Sequence, residues 1–240
     1  MNDMRNGTLT GSRAGAVDEG LRQFMLGVYN YMALGVGLSG LFALFLANNQ
    51  QLIMSMATTP LRWAPFIAIL GLGFFGPKVI YSGSKVAAHG IFWAYAAAWG
   101  FLVAPALYFL NAAGDANIIY RAFFITATVF AGTSLFGYTT KRNLMGMGQF
   151  LFMACLGILV AIIANALIFK SGMFSLITSC ATVLIFSAVT AYETQMIKNL
   201  YEEGNAMNER TSIMGAFMLY GSFATLFIHI LNILGLTRGE

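Results

Sequence analysis

Residues 147–169 read MGQFLFMACLGILVAIIANALIF, without one charged side chain. An α-helix rises about 1.5 Å per residue, so about 20 such residues cross about 30 Å of lipid hydrocarbon. Working outward, runs of the same kind recur near 24–47, 64–82, 86–110, 118–139, 174–198 and 212–236. The 240 residues are 58% hydrophobic and 9% charged, whereas an ordinary soluble domain is about 25% charged. The expected fold class is therefore all-α: a membrane protein built as a seven-transmembrane-helix bundle, with residues 23–238 forming a single transmembrane domain.

Residues 1–22 are rich in Gly, Ser and Asn, and Arg5, Arg13 and Arg22 balance Asp3, Asp18 and Glu19. That composition predicts a disordered cytoplasmic N-tail. The tail has no short apolar core followed by a small-residue cleavage site, so the first helix is expected to be retained. The other connections are tight, and any chemistry must sit in the bundle. Orientation follows from the basic residues of the short loops. With the N-terminus in the cytoplasm, that side carries Arg5, Arg13, Arg22, Lys78, Lys85, Lys141, Arg142, Lys198 and Arg210, and the far side carries Arg62, Arg121, Lys170 and Arg238. Nine against four favours this orientation. Seven crossings then put the C-terminus outside, and inside if the last stretch, which carries Ser222, Thr225, His229 and Asn232, fails to cross.

The formal charge of +4 does not point to nucleic acid, because the cations flank the membrane spans instead of clustering on one face. Cys155 and Cys180 fall at different depths of consecutive helices, so both are expected to be small packing residues without a disulfide. Gly35, Gly37 and Gly40 spell G-x-G-x-x-G, but inside an apolar helix, where small residues serve close helix contact and not a dinucleotide. Gly71, Gly73, Gly76 and Pro77 would loosen or kink the second helix. No spacing suits a metal, since His89 and His229 lack a second ligand nearby, and no Ser, His and Asp set suits a nucleophile. The expectation is no enzyme, no catalytic residue, no metal site and no cofactor.

Glu193 is the only acidic residue inside the seven stretches. A carboxylate at membrane depth costs about 2.5 to 3.5 kcal/mol on insertion scales, and such residues usually face protein or water and serve a function. In the sixth stretch Ser175, Ser179, Thr182, Thr190 and Glu193 keep near one helical face, which Phe186 interrupts. In the seventh, Ser222, Thr225, His229 and Asn232 form one stripe. Two polar stripes on consecutive antiparallel helices can face each other. Cross-helix hydrogen bonds, at about 0.6 kcal/mol each, account for the hydroxyls, and a hydrogen-bonded neutral imidazole accounts for His229. They do not account for an unpaired carboxylate, which must take up a proton, meet water, or reach a loop cation such as Lys198 or Arg210.

Phe130-Ala-Gly-Thr-Ser-Leu-Phe-Gly-Tyr-Thr-Thr-Lys-Arg-Asn-Leu144, Ala191-Tyr-Glu-Thr-Gln-Met-Ile-Lys198 and Leu219-Tyr-Gly-Ser-Phe-Ala-Thr-Leu-Phe227 resemble three segments of the Bax inhibitor-1 family. The similarity runs from about residue 22 through the bundle. It implies seven helices in which an acid near the inner end of the sixth and an acid in the seventh share a proton and gate a pH-sensitive calcium leak, with Ca²⁺ as a conducted ion only. Glu193 stands where the family usually has Asp, Ser222 where the second Asp is expected, and Asn143 where another Asp follows Lys141 and Arg142. This chain keeps the frame and half of the sensor. Ca²⁺ wants six to eight oxygens, so one carboxylate and one hydroxyl make calcium conduction less secure here.

The favoured function is a pH-responsive cation leak, with Glu193 and Ser222 as proton-sensing and gating residues and Ser179, Thr182, Thr190, Thr225, His229 and Asn232 as the supporting polar seam. The alternative, which the family also implies, is a non-transporting interaction protein that modulates a membrane-bound AAA+ protease or another membrane complex. The bilayer is the expected surrounding, in the form of a bacterial cytoplasmic membrane, and nucleic acid is not an expected partner. Reporter fusions should place the N-tail and the loops holding Lys78, Lys141 and Arg210 in the cytoplasm. Protease cleavage between residues 198 and 212 from the outer side alone would reverse the assignment.

Overall fold

A computed structural model of the chain describes residues 2–201 and 208–237, with side-chain surroundings for 19–201 and 209–237. Arg238 and residues 202–207 of the 198–212 connection, both used in the orientation argument, lie outside the described residues. Among the described residues eight α-helices follow one another: α1 Asn2–Ala47, α2 Gln50–Thr58, α3 Ala64–Ser82, α4 Lys85–Ala112, α5 Asn117–Thr139, α6 Gly148–Ala164, α7 Gly172–Asn199 and α8 Asn208–Leu236. No strand occurs among the described residues. Seven of the described segments are long and apolar enough to cross a membrane: Glu19–Ala47, Pro60–Ser82, Lys85–Ala112, Asn117–Thr139, Met145–Phe169, Gly172–Asn199 and Glu209–Leu236. All seven match the sequence-derived stretches to within a few residues.

Three local features differ from the sequence reading. Residues 2–22, expected to be disordered, continue the helix of the first span. No proline separates them from it, and extending a nucleated helix is far easier than starting one. The second difference is α2, which no apolar run announced. Asn49 caps it by accepting from Leu52 N, and Ile53 and Met56 bury themselves against Ala43, Leu46, Ala104 and Leu107. The third is the end of the fifth span, where α6 passes into a π-helical turn over Asn165–Phe169 and stops at Lys170 in the left-handed region, φ 47°. Asn165 closes that turn by exchanging hydrogen bonds with the backbone of Ser171.

The seventh span is the hub. α8 packs against α1, α3, α4, α5 and α7, and Leu219, Tyr220 and Leu226 are almost fully buried. The fifth span is peripheral. It is the most apolar of the seven and the least buried, and among the long helices it leans on α7. Its Phe150, Phe152 and Val160 stand exposed, as do Phe74 and Leu184 elsewhere on the surface. Meanwhile Thr126, Ser134, Ser179, Thr182 and Thr190 are buried. Lipid is as apolar as a leucine side chain, so apolar surface gains nothing by burial, whereas polar groups must find partners inside.

Helix contacts depend on a few glycines. A Cβ on Gly137 of α5 would overlap the Ala191 backbone of α7, and one on Gly100 would lie 2.6 Å from Ser39 O. Of the G-x-G-x-x-G residues only Gly35 serves close packing, with a Cβ position 2.8 Å from Phe92; Gly37 and Gly40 meet nothing within 4 Å. Gly76, next to Pro77 inside α3, is buried against Ile91 and Phe217, while Gly71 and Gly73 face open space. Both cysteines are free, Cys155 half-buried and Cys180 exposed, so Cys180 is not the packing residue expected.

At the end of the bundle shared by the start of α4 and the start of α8, Lys85 pairs with Glu209, and His89 Nε2 lies 3.8 Å from the same carboxylate. Exposed pairs of this kind are screened by water and salt and contribute little to stability. The glycine contacts should matter more. Gly137→Ala forces α5 off α7 and should cost about 1 to 3 kcal/mol, the range for overpacking. Gly132→Ala, whose Cβ meets nothing within 4 Å, should be neutral. Thermal unfolding of the two variants in detergent compares them directly, and equal midpoints would refute the close-contact role.

Candidate functional site

α7 and α8 run antiparallel, and their polar stripes meet. Ser222 Oγ donates to Glu193 Oε2 at 2.6 Å. Further along the pair, His229 Nδ1 lies 3.0 Å from Ser179 Oγ, and Asn232 Nδ2 donates to Ser179 Oγ at 2.8 Å and to Ser175 Oγ at 2.9 Å. If Ser179 gives its proton to Nδ1 and accepts from Asn232, His229 is a neutral imidazole protonated on Nε2. The spacing of the stripes dictates this meeting, because residues three and four apart share a helical face.

Three of the expected seam residues do not bond across. Thr182 donates to Thr178 O, Thr190 to Phe186 O and Thr225 to Gly221 O, each within its own helix. A threonine hydroxyl four residues after a carbonyl finds that acceptor without help from a neighbour. Thr182 and Thr190 are fully buried nonetheless, so they line the α7 interface as apolar methyls with satisfied hydroxyls.

Glu193 is partly buried, six residues before the end of α7, on the end of the bundle where Lys141 and Lys198 lie. Its carboxylate has no cation within ion-pair distance among the described residues. The two loop cations that might have reached it are engaged elsewhere. Lys198 Nζ donates to Tyr138 O at 3.0 Å and sits 4.9 Å above the Tyr138 ring, and Arg210 donates to Gly83 O at 2.9 Å and Tyr81 O at 3.3 Å. Among the described residues no three His, Cys, Asp or Glu side chains come together.

A second polar chain beside Glu193 was not evident in the sequence. Tyr29 OH, Ser134 Oγ and Thr194 Oγ1 are linked at 2.7 and 2.9 Å, joining α1, α5 and α7. One residue further on, Gln195 accepts from Leu144 N at 2.7 Å and donates to Arg142 O at 2.8 Å, which pins the α5–α6 connection to α7. Asn143 shapes that connection by accepting from Met145 N at 2.9 Å. The signal for these contacts is the pair of segments Phe130–Leu144 and Ala191–Lys198. They resemble one family and touch each other through Gly137, Tyr138 and Ser134.

Residues 21–239 match the family model described as "Inhibitor of apoptosis-promoting Bax1". Uncharacterized protein RP147 of Rickettsia prowazekii is 35% identical over 95% of this chain and 96% of its own length. A Caulobacter vibrioides uncharacterized protein is 35% identical over 99% of this chain and all of its own length. Inner membrane protein YbhL of Escherichia coli is 32% identical over 91% of this chain and 94% of its own. On a model match that spans nearly the whole bundle, and on relatives this similar over nearly all of both chains, the protein belongs to the Bax inhibitor family of membrane proteins.

Proposed function

We propose that this protein is a pH-responsive cation leak of a bacterial membrane, with Glu193 as the titrating group and Ser222 as the hydroxyl that holds it between α7 and α8. The observation that carries the reading is the Ser222–Glu193 hydrogen bond at 2.6 Å, made by a carboxylate with no ion-pair partner among the described residues. An ionised carboxylate only accepts hydrogen bonds, whereas a protonated one also donates. The bond that joins the two helices therefore changes character with one proton. In lipid surroundings the ionised form is also the one that draws water into the seam. Opening α7 from α8 at this point would give a cation a wet path and a charge to pass, with His229, Ser179 and Asn232 further along the same interface.

The single acid distinguishes this chain from the two-acid arrangement its family suggests. One carboxylate and one hydroxyl supply few of the six to eight oxygens Ca²⁺ prefers, so a less selective cation leak fits the residues better than a calcium site. The relative named as an inner membrane protein supports a bacterial cytoplasmic membrane as the location.

Glu193→Gln keeps the shape and hydrogen-bonding capacity but cannot titrate. In liposomes assayed from about pH 4 to 8, a range that covers free and buried carboxyls alike, it should leak at one level throughout, the level the parent shows at its acidic limit. Ser222→Asp should restore a two-acid pair that titrates in two steps and responds more strongly to calcium. If both variants follow the parent across the range, Glu193 is structural and the non-transporting interaction protein becomes the better reading.

A further inference from the structure

α5 and α6 both pack against α7 and make little or no contact with one another. Between them one face of α7 stays bare. Met173, Ile177, Cys180 and Leu184 follow at spacings of four, three and four, which keeps them on one side of the helix, and all four are exposed, Leu184 by 74%. Around the helix that side lies between Tyr192, which meets α6 at Gly148, and Thr194, which meets α5 at Ser134. The same spacing continues through Ala188 and Ala191 to Gln195. At Ala191 the floor is covered, because Gly137 brings the α5 backbone onto it. The open groove therefore begins at Ala188, about 10 Å below Gln195 at the helical rise, and has reached Leu184 by about 16 Å.

The 140–147 connection caps this groove. Gln195 fixes it by accepting from Leu144 N and donating to Arg142 O, and Thr140 and Asn143 hold its turns by accepting from Arg142 N and Met145 N. Its Lys141 and Arg142 side chains are exposed, and neither has an ion-pair partner among the described residues. Glu19 and Glu209, exposed acids at the same end of the bundle, already pair with Arg22 and Lys85.

We propose that this corner binds one anionic phospholipid from the leaflet on the Lys198 side. Its phosphate pairs with Lys141 and Arg142, and an acyl chain lies on α7 between α5 and α6. The ligand follows from the walls. Two cations at the membrane surface above an uncharged groove fit an anion with an apolar tail, and basic pockets between membrane helices are where acidic head groups bind. The depth fits as well, since Leu184 lies about 16 Å below Gln195 and one leaflet supplies half of about 30 Å of hydrocarbon. A zwitterionic lipid would bring a positive group to the same two cations. A second copy of this chain would cover the groove, but it offers no exposed acid that is unpaired among the described residues.

The test uses the purified full chain in phosphatidylcholine nanodiscs that carry a small fraction of chain-brominated lipid, which quenches an indole on contact. Leu184→Trp puts a fluorophore on the groove floor, and Phe74→Trp, at a residue 80% exposed on α3, puts one on open surface. Brominated phosphatidylglycerol should quench the added emission of Leu184→Trp at about thirtyfold lower content than brominated phosphatidylcholine, the scale of two cations beside a phosphate. Adding Lys141→Gln and Arg142→Gln should bring the two lipids level without moving the thermal unfolding midpoint. Phe74→Trp should respond to both lipids alike. Glycerol 3-phosphate at millimolar concentration should leave the preference in place, since a free head group lacks the chain. If Leu184→Trp does not fold, native mass spectrometry decides: the parent should retain phosphatidylglycerol over phosphatidylcholine, and the Lys141→Gln, Arg142→Gln variant should not. The proposal is overturned if no preference appears, if it survives loss of both cations, if Phe74→Trp shows the same preference, or if glycerol 3-phosphate abolishes it. Quenching of Leu184→Trp by neither lipid, the mark of a second copy seated on the groove, overturns it too. None of these readouts involves the leak ascribed to Glu193.

Discussion

Hydrocarbon offers no hydrogen bonds, and that one deficit organises this molecule more than any attraction between its helices. Every polar side chain carried into the membrane must meet another polar group, bond its own helix, or face water. α7 and α8 carry most of them, and the two helices are joined by Ser222 to Glu193 and by Asn232 and His229 to Ser179. The same deficit explains the inside-out distribution of apolarity, in which the most apolar span leans on the outside and buried threonines occupy the interior. It also marks the candidate site: the Glu193 carboxylate, held by Ser222 and without a cation among the described residues, is a group whose needs the protein leaves open.

The spans were legible in the sequence because their length is set by the thickness of the bilayer, a constraint external to the chain and independent of tertiary detail. The seam was legible for a similar reason, since helical spacing alone puts Ser175 with Ser179 and His229 with Asn232. What spacing does not encode is which hydroxyl prefers its own backbone. Thr182, Thr190 and Thr225 share the stripes of their neighbours but turn to carbonyls four residues back. The nine residues of α2 gave no signal because they are too few for a crossing and depend on Asn49 and on burial of Ile53 and Met56 for their stability.

The family resemblance and the fold meet at the α5–α6 connection. Gln195 clamps its backbone, Lys198 rests on Tyr138, and Gly137 lets α7 approach until backbones touch. These contacts position the turn of α7 that bears Glu193, and Tyr29, Ser134 and Thr194 brace it from the opposite side. The segments that identify the family therefore build the support around the acid as well as the acid itself. That support is intact here even though Ser222 has replaced the second carboxylate that the resemblance leads one to expect.

The position of α8 at the hub has a consequence for how the protein comes into being. Ribosomes deliver helices in chain order, at about 5 to 20 residues per second, so six spans enter the membrane before the one that five of the other helices pack against. During that interval α7 holds Ser175, Ser179 and Glu193 without their eventual partners, and the faces of α1, α4 and α5 that will close on Leu219, Tyr220 and Phe223 remain open to lipid or to one another. The nascent protein is thus a set of inserted helices awaiting a keystone, and its period of greatest vulnerability to membrane quality control falls at the end of synthesis.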